Sequence, residues 1–379
     1  MSTCCDKKTR RDFVQEMTRL GLGAAFAPLV WRLMHGEAHA AGGPRPAQFW
    51  EPADSGRVRC LLCPREEKLA RGEFGQCHVR QNVGGKLVTH GYDQPCILNI
   101  DPIEKNPLAH FHPGAQVLSI AHAGCNVGCL YCQNWQFSQS GPMQTKNIRG
   151  FGQAATVKKA QEKKLSGLVF TYTEPVMTPE FLQDVCALAK PQRLFLALCT
   201  AGFVRPEVLK QVLAPFDAVT ITYKGATEKF YNQVVRASLK PVLDSMLLVK
   251  AENKWLEVAT LIVPTRNDDA AGLKQMAQWI AKNLGADTPW HLERFVPQYK
   301  LRDLPPTPQA TMERARKIGL EAGLKHVYIS NLAPHEGNHT YCPRCNKAVI
   351  KRLGFKILAN DLVSGSCPKC RTKLTGVWS

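Results

Sequence analysis

The sequence predicts an α/β fold: a partial (β/α)6 barrel, preceded by a small N-terminal Cys-containing module and followed by a C-terminal zinc-ribbon-like tail. Three observations carry this. From residue 116 to about 330, short apolar runs alternate with amphipathic stretches, the signature of repeated strand–helix units. Nine of the 15 cysteines fall into three close-spaced groups, which favours metal over disulfides because ligands around one ion converge locally. The last group, Cys342/Cys345 and Cys367/Cys370, is two knuckles 21 residues apart in a tail too short to build its own core.

Residues 1–41 read as an address rather than as part of the fold. Lys7, Lys8, Arg10 and Arg11 make a basic start, and Thr9-Arg-Arg-Asp-Phe-Val14 follows the twin-arginine pattern. A weakly apolar stretch from Leu20 to Trp31 is too short to span a bilayer comfortably, and Ala38-His-Ala40 offers a small-residue cleavage site. The expectation is a twin-arginine-type signal, periplasmic export and no stable membrane span. Cytoplasmic residence is the alternative, and an amphipathic N-terminal helix is the plainer reading of the same residues.

Residues 42–56, rich in Gly and Pro, form a linker, and 57–115 the Cys-containing module. The barrel occupies 116–335. Its strands are the runs Val117–Ala121, Gly167–Tyr172, Leu194–Cys199, Ala218–Tyr223, Leu256–Val263 and Trp290–Phe295, with a short closing strand at Val327–Ile329. Helices are expected over Thr156–Lys164, Pro179–Ala189, Pro206–Val212, Leu239–Lys250 and Ala270–Leu284. The tail is 336–379. Cys186 and Cys199, in apolar runs, read as core thiols.

Length and composition, 379 residues and 44% hydrophobic, are those of a globular chain of two or three domains. The net charge is +18, from 49 Lys plus Arg against 31 Asp plus Glu. These charges are scattered, with no arginine-rich run, so no nucleic-acid partner is expected.

The most informative segment is Cys125-Asn-Val-Gly-Cys129-Leu-Tyr-Cys132, just after the first strand and so at the C-terminal end where barrel sites form. A [4Fe–4S] cluster normally takes four thiolates. With three local thiolates one iron stays open, and an open iron can chelate the amino and carboxylate groups of S-adenosylmethionine (SAM). Reductive cleavage of SAM releases a 5′-deoxyadenosyl radical that abstracts hydrogen from a substrate. The motif in this context reads as a radical SAM enzyme; a zinc site and a plain electron-transfer cluster are the competing readings.

Residues at the other strand ends are candidates for the same site. Tyr131 precedes the third cysteine and suits packing near SAM. Glu174, in Thr171-Tyr-Thr-Glu-Pro175, suits the SAM amino group; a strand terminator is the plainer reading. Thr200 and Gly202 end the third strand, where glycine lets a ligand approach closely, and Lys224 ends the fourth. His291 and Arg294 are weak catalytic candidates on the sixth; alternation puts His291 and Glu293 on one face and Arg294 on the other.

Several stretches taken together resemble the radical SAM enzymes of the AmmeMemoRadiSam system and, more distantly, are similar to pyruvate formate-lyase activating enzymes. They are Cys60-Leu-Leu-Cys-Pro-Arg65, Gly72 to Arg80, Asp101-Pro-Ile-Glu-Lys-Asn-Pro-Leu108, His110 to Gly114, Ala123 to Trp135, Tyr172-Thr-Glu-Pro175, Asp303 to Pro308 and Tyr341-Cys-Pro-Arg-Cys345. The resemblance runs from about residue 57 to the end. It implies a radical SAM barrel, one SAM-binding [4Fe–4S] cluster and no established substrate. The chain departs from it at Glu67, where relatives carry a further Cys, at Thr222, where they carry Asp, and at Ala201, where they carry Asn.

Two further metal sites are expected. Cys342, Cys345, Cys367 and Cys370 suit a tetrahedral zinc, with four free thiols or a single iron as alternatives. Cys60, Cys63 and Cys77 are candidates for a second site, its fourth ligand open among Cys96, His78 and Glu67. The expected partners are SAM, a low-potential electron donor and an unknown substrate, a protein among the options. Two other functions stay open: an activase that installs a glycyl radical on a partner, and an exported iron–sulfur electron carrier without SAM turnover.

Overall fold

The apolar runs become one parallel sheet. The computed structural model describes residues 43–148 and 151–378, so the leader read in residues 1–41 lies outside the described residues. Six short strands come first: β1 (Arg45–Pro46), β2 (Trp50–Pro52), β3 (Val58–Cys60), β4 (Lys68–Leu69), β5 (Arg80–Val83) and β6 (Lys86–Thr89). They pair antiparallel in two small sheets, ordered β1-β6-β5 and β2-β3-β4. The main sheet has eight strands: β7 (Pro95–Pro102), β8 (Gln116–His122), β9 (Gly167–Phe170), β10 (Phe195–Thr200), β11 (Ala218–Thr222), β12 (Trp255–Ile262), β13 (Trp290–Arg294) and β14 (Val327–Ser330). They lie in sequential order, parallel from β8 to β14, with β7 antiparallel at one edge.

The expected strands sit in the middle of this sheet, and their near-continuous burial is what two covered faces require. Segment 95–102, which the sequence reading places in the N-terminal module, is instead an edge strand of the main sheet. The covering helices run Gln153–Glu162, Pro179–Ala189, Pro206–Leu213, Lys240–Ala251, Ala270–Asn283 and Gln309–Glu321. Four start where the chain favours it: Pro stands in the first turn of three of them, and Asp269 accepts the Gly272 amide to cap the fifth. The sixth is absent from the sequence reading. Its buried positions, Thr311, Met312, Ala315 and Gly319, are mostly small or polar and leave a weak apolar signal.

The segment between β7 and β8 turns inward and seats on a buried carboxylate. Glu257 receives the Ala109 and His110 amides (2.9 and 2.8 Å), Trp255 Nε1 (2.9 Å) and His291 Nε2 (2.6 Å). Burial acts to raise its pKa, but His291, His110 and Trp255 outweigh it and hold Glu257 at about 2. The tail strands β15 (Thr340–Tyr341), β16 (Ala348–Leu353) and β17 (Lys356–Asn360) form a separate three-stranded antiparallel sheet. Among the described residues no helix is long and apolar enough to cross a membrane.

Candidate functional site

The Cys125–Cys132 loop leaves β8 at its C-terminal end and is pinned from four directions. Gly124 N donates to Phe137 O (2.8 Å), Gly128 N to Val235 O (2.9 Å), Leu130 N to Val234 O (3.0 Å) and Asn126 Nδ2 to Phe203 O (2.6 Å). Gly124 has φ +97°, and a Cβ there would stand 2.2 Å from Val79 Cγ2 and 2.4 Å from Cys77 O. Only glycine fits that close approach of the N-terminal module.

Cys125, Cys129 and Cys132 line a cavity of about 420 Å³, shared with Tyr131, Thr200 and Lys224 from the other strand ends. Burial, then the Glu174 charge, pushes the Cys125 thiol well up; burial also raises Cys129, against the pull of Lys224. The Tyr131 hydroxyl is buried beside the Cys129 sulfur, and burial, then the Cys129 charge, pushes it well up. The three loop thiols are also not drawn together as ligands of a single ion: among the described residues only the tail quartet is that close. Separated thiols lining one cavity fit a polynuclear cluster with one iron at each thiolate.

The other expected residues fall in two groups. Glu174 lies behind the cavity wall, where its carboxylate receives Thr200 Oγ1 (2.8 Å), the Ala201 amide (2.8 Å) and the Val176 amide (3.3 Å). It thereby fixes the end of β10. Gly202, at φ +70°, faces Ile221, Val242 and Ser245 rather than the cavity. Arg294 Nε donates to Thr307 O (2.8 Å), and His291 is buried against Glu257. Both are built into the fold.

Residues that the sequence reading did not single out complete the cavity. Glu293 faces it, two positions beyond His291 on the inward face of β13, and burial pushes its carboxyl up against the pull of His291 and Lys224. Cys199, read as a core thiol, also faces it and donates to Asn106 O (3.2 Å). Thr220 Oγ1 donates to Asn106 O (3.0 Å), so residues 105–107 make the floor. Lys105 Nζ reaches Asp101 (2.8 Å) and the Tyr172 hydroxyl (3.1 Å), which in turn donates to Asp101. Tyr172 sits at φ +67°, a strained conformation for a bulky residue, held by these bonds and by Asn134 Nδ2 on its carbonyl (2.9 Å). The signal in the sequence was the Asp101–Leu108 stretch, one of those that carry the family resemblance.

In the tail, Cys342, Cys345, Cys367 and Cys370 place their sulfurs within 4.8 Å of one another. The knuckles repeat one geometry: Asn346 N donates to Cys342 O and Arg371 N to Cys367 O (both 2.9 Å), with Asn346 and Arg371 left-handed. Hydrogen bonds with Thr372 lower the Cys370 thiol, while hydrogen bonding to the neighbouring sulfurs raises Cys345, so the four thiols titrate as one group. The N-terminal trio is less assembled. Burial pushes Cys63 up to about 12, with Cys60, Cys77 and Glu67 as neighbouring charges. Glu67 is engaged by the Gln76 amide (2.9 Å), and Cys96 donates to Ala121 O (3.5 Å), packing with Ala121 and Ala123.

Residues 119–280 match the Radical SAM superfamily. An uncharacterized protein of Methanocaldococcus jannaschii is 42% identical over 332 residues, 87% of this chain and 98% of the relative. A pyruvate formate-lyase-activating enzyme of Clostridium pasteurianum is 24% identical over 57% of this chain and 92% of its own. Among solved structures, a radical SAM methyltransferase from Sphaerobacter thermophilus is 13% identical, with TM-score 0.45 over 76% of this chain and 78% of that one.

Proposed function

This chain belongs to the radical SAM superfamily and is an enzyme, and from that premise we propose that its reaction takes place in the cavity bounded by Cys125, Cys129, Cys132, Thr200, Lys224 and Glu293. The carrying observation is that three loop thiols, one buried and two half-buried, share one cavity with polar residues from four strand ends. When bound there, a [4Fe–4S] cluster supplies reductive cleavage of SAM and hydrogen-atom abstraction from a substrate. The protein's part is to bind, orient and exclude water. Lys224 places a positive charge in the wall, suited to the SAM carboxylate. Tyr131 packs beside the Cys129 sulfur. Glu174 acts at one remove, holding Thr200 and the Ala201 amide in place.

The sequential order of the seven parallel strands, with the 103–115 segment packed on Glu257, supports reading the sheet as a partial barrel. The stretches shared with AmmeMemoRadiSam enzymes support placement in that group, with an electron donor of low potential as partner. The sulfur geometry of the tail suits one zinc. The Arg10-Arg11 leader supports twin-arginine export, which cell fractionation and N-terminal sequencing test; a cytoplasmic protein retaining residues 1–40 excludes it. The enzymatic reading is tested by anaerobic reconstitution and reduction with SAM. Formation of 5′-deoxyadenosine is the expected result; reconstituted, reduced protein that leaves SAM intact overturns it.

A further inference from the structure

The four-Cys tail is clamped to the floor segment of the main sheet. Arg352, 3% exposed, donates from Nη2 to Ala109 O and from Nη1 to Thr340 Oγ1 (both 2.8 Å), with Nε 3.6 Å from the Glu104 carboxylate. The chain end adds a second clamp: Val377 N donates to His110 O and His112 N to Val377 O (both 2.7 Å). Ile357 of β17 packs within reach of a Cβ at Gly114 (3.4 Å). These anchors fix the direction of the β16–β17 hairpin, whose turn is Gly354–Phe355.

Phe355 lines the reaction cavity together with the cluster loop. It also lines a second cavity of about 250 Å³, bounded by Glu104, His291, Tyr328 and Arg352. Besides Phe355, the two cavities share only Asn331, which follows β14 in a left-handed turn (φ +60°). An aromatic ring on a hairpin tip therefore stands between the two spaces.

We propose that Phe355, carried on the four-Cys module, is a specificity-determining wall of the reaction cavity: it separates that cavity from the second chamber and sets how deep a substrate can sit. The inference rests on the reading of this cavity as the reaction site. It gives the module a role beyond stapling the chain end, because the anchors that orient the hairpin also orient this wall. A smaller side chain merges the two chambers and admits longer groups; a larger one shortens the site.

Cys199 reports on this directly, since it lines the cavity and is half-buried. The test is peptide-resolved alkylation of Cys199 with N-ethylmaleimide in the cluster-reconstituted full chain without SAM. Phe355→Ala is expected to speed labelling several-fold and Phe355→Trp to slow it, while Leu358→Ala, on the exposed side of the same hairpin, leaves it unchanged. Opposite shifts from Ala and Trp do not arise from a loosened tail. Equal labelling in wild type, Phe355→Ala and Phe355→Trp overturns the proposal. This readout does not depend on SAM turnover, so failure to cleave SAM refutes the assignment of the reaction and not the placement of the wall.

Discussion

Replacing Glu257 by Gln tests whether the floor of the cavity is held by one buried charge. The carboxylate is fully buried and receives four donors, two from the floor segment, one from β12 and one from β13. A carboxyl held at about 2 instead of 4.5 corresponds to about 3 kcal/mol of native-state stabilisation at neutral pH, at about 1.4 kcal/mol per tenfold. Removing one partner of a buried charge network generally costs about 3–5 kcal/mol, which is the same order. The sign follows from the lowered pKa. Above 4.5 both states are ionised and the contribution is complete; as pH falls the unfolded chain takes up its proton first, and the contribution fades between 4.5 and about 2. Urea unfolding of the full chain should therefore show Glu257→Gln less stable by about 3 kcal/mol at pH 7, the gap narrowing by about 1 kcal/mol at pH 3.5. A loss under about 1 kcal/mol at pH 7, or a gap independent of pH, refutes the assignment of a buried charge to this position.

Alanine at Cys125, Cys129 or Cys132 should abolish the visible absorption and bound iron of the SAM-cleaving cluster; unchanged iron in all three variants sinks the ligand assignment. Lys224→Met should keep the cluster and weaken SAM binding about ten- to a hundredfold, the loss of one charge-assisted hydrogen bond, as read by equilibrium titration. A zinc chelator should raise amide exchange across residues 340–378 while the main sheet stays protected. Metal analysis that finds no tight zinc or iron bound by Cys342, Cys345, Cys367 and Cys370 contradicts this.

What was legible in the sequence is what local physics fixes. Buried parallel strands read as unbroken apolar runs, and close-spaced thiols announce shared ligation. β7 was not legible because it is an edge strand, opening and closing with Pro, with Ile97 and Leu98 half-buried and Asn99 and Ile100 exposed. Cys199 packs against the core as read, but its place on the cavity was hidden: it ends an apolar run, and from sequence an inward position at a strand's C-terminal end looks like any core position. In the fold that end opens onto a cavity. Glu257 hid in the same way, inside the run Leu256–Val263. Its donors Ala109 and His110 lie almost 150 residues earlier.

That long separation bears on how the site is built. The cluster loop follows β8, yet its shape depends on Val79 and Cys77 packing on Gly124, on Val234 and Val235 accepting its amides, and on Lys300 N bonding Leu130 O (2.9 Å). The floor depends on Glu257, and one wall on a hairpin held by Arg352. Three spaced thiols can meet a cluster in a short peptide, but such a peptide leaves the metal open to water. The surrounding segments close the space around those thiols, bury Tyr131 beside them and bury the Glu174 carboxylate behind the wall. Electrostatic interactions strengthen as water is excluded, so the charge of Lys224 and the carboxyl of Glu293 act on a bound ligand more strongly than they would on an open loop. The N-terminal module, through Val79 and Cys77 against Gly124, and the four-Cys tail, through Phe355, therefore shape this cavity although both are remote in sequence from Cys125–Cys132.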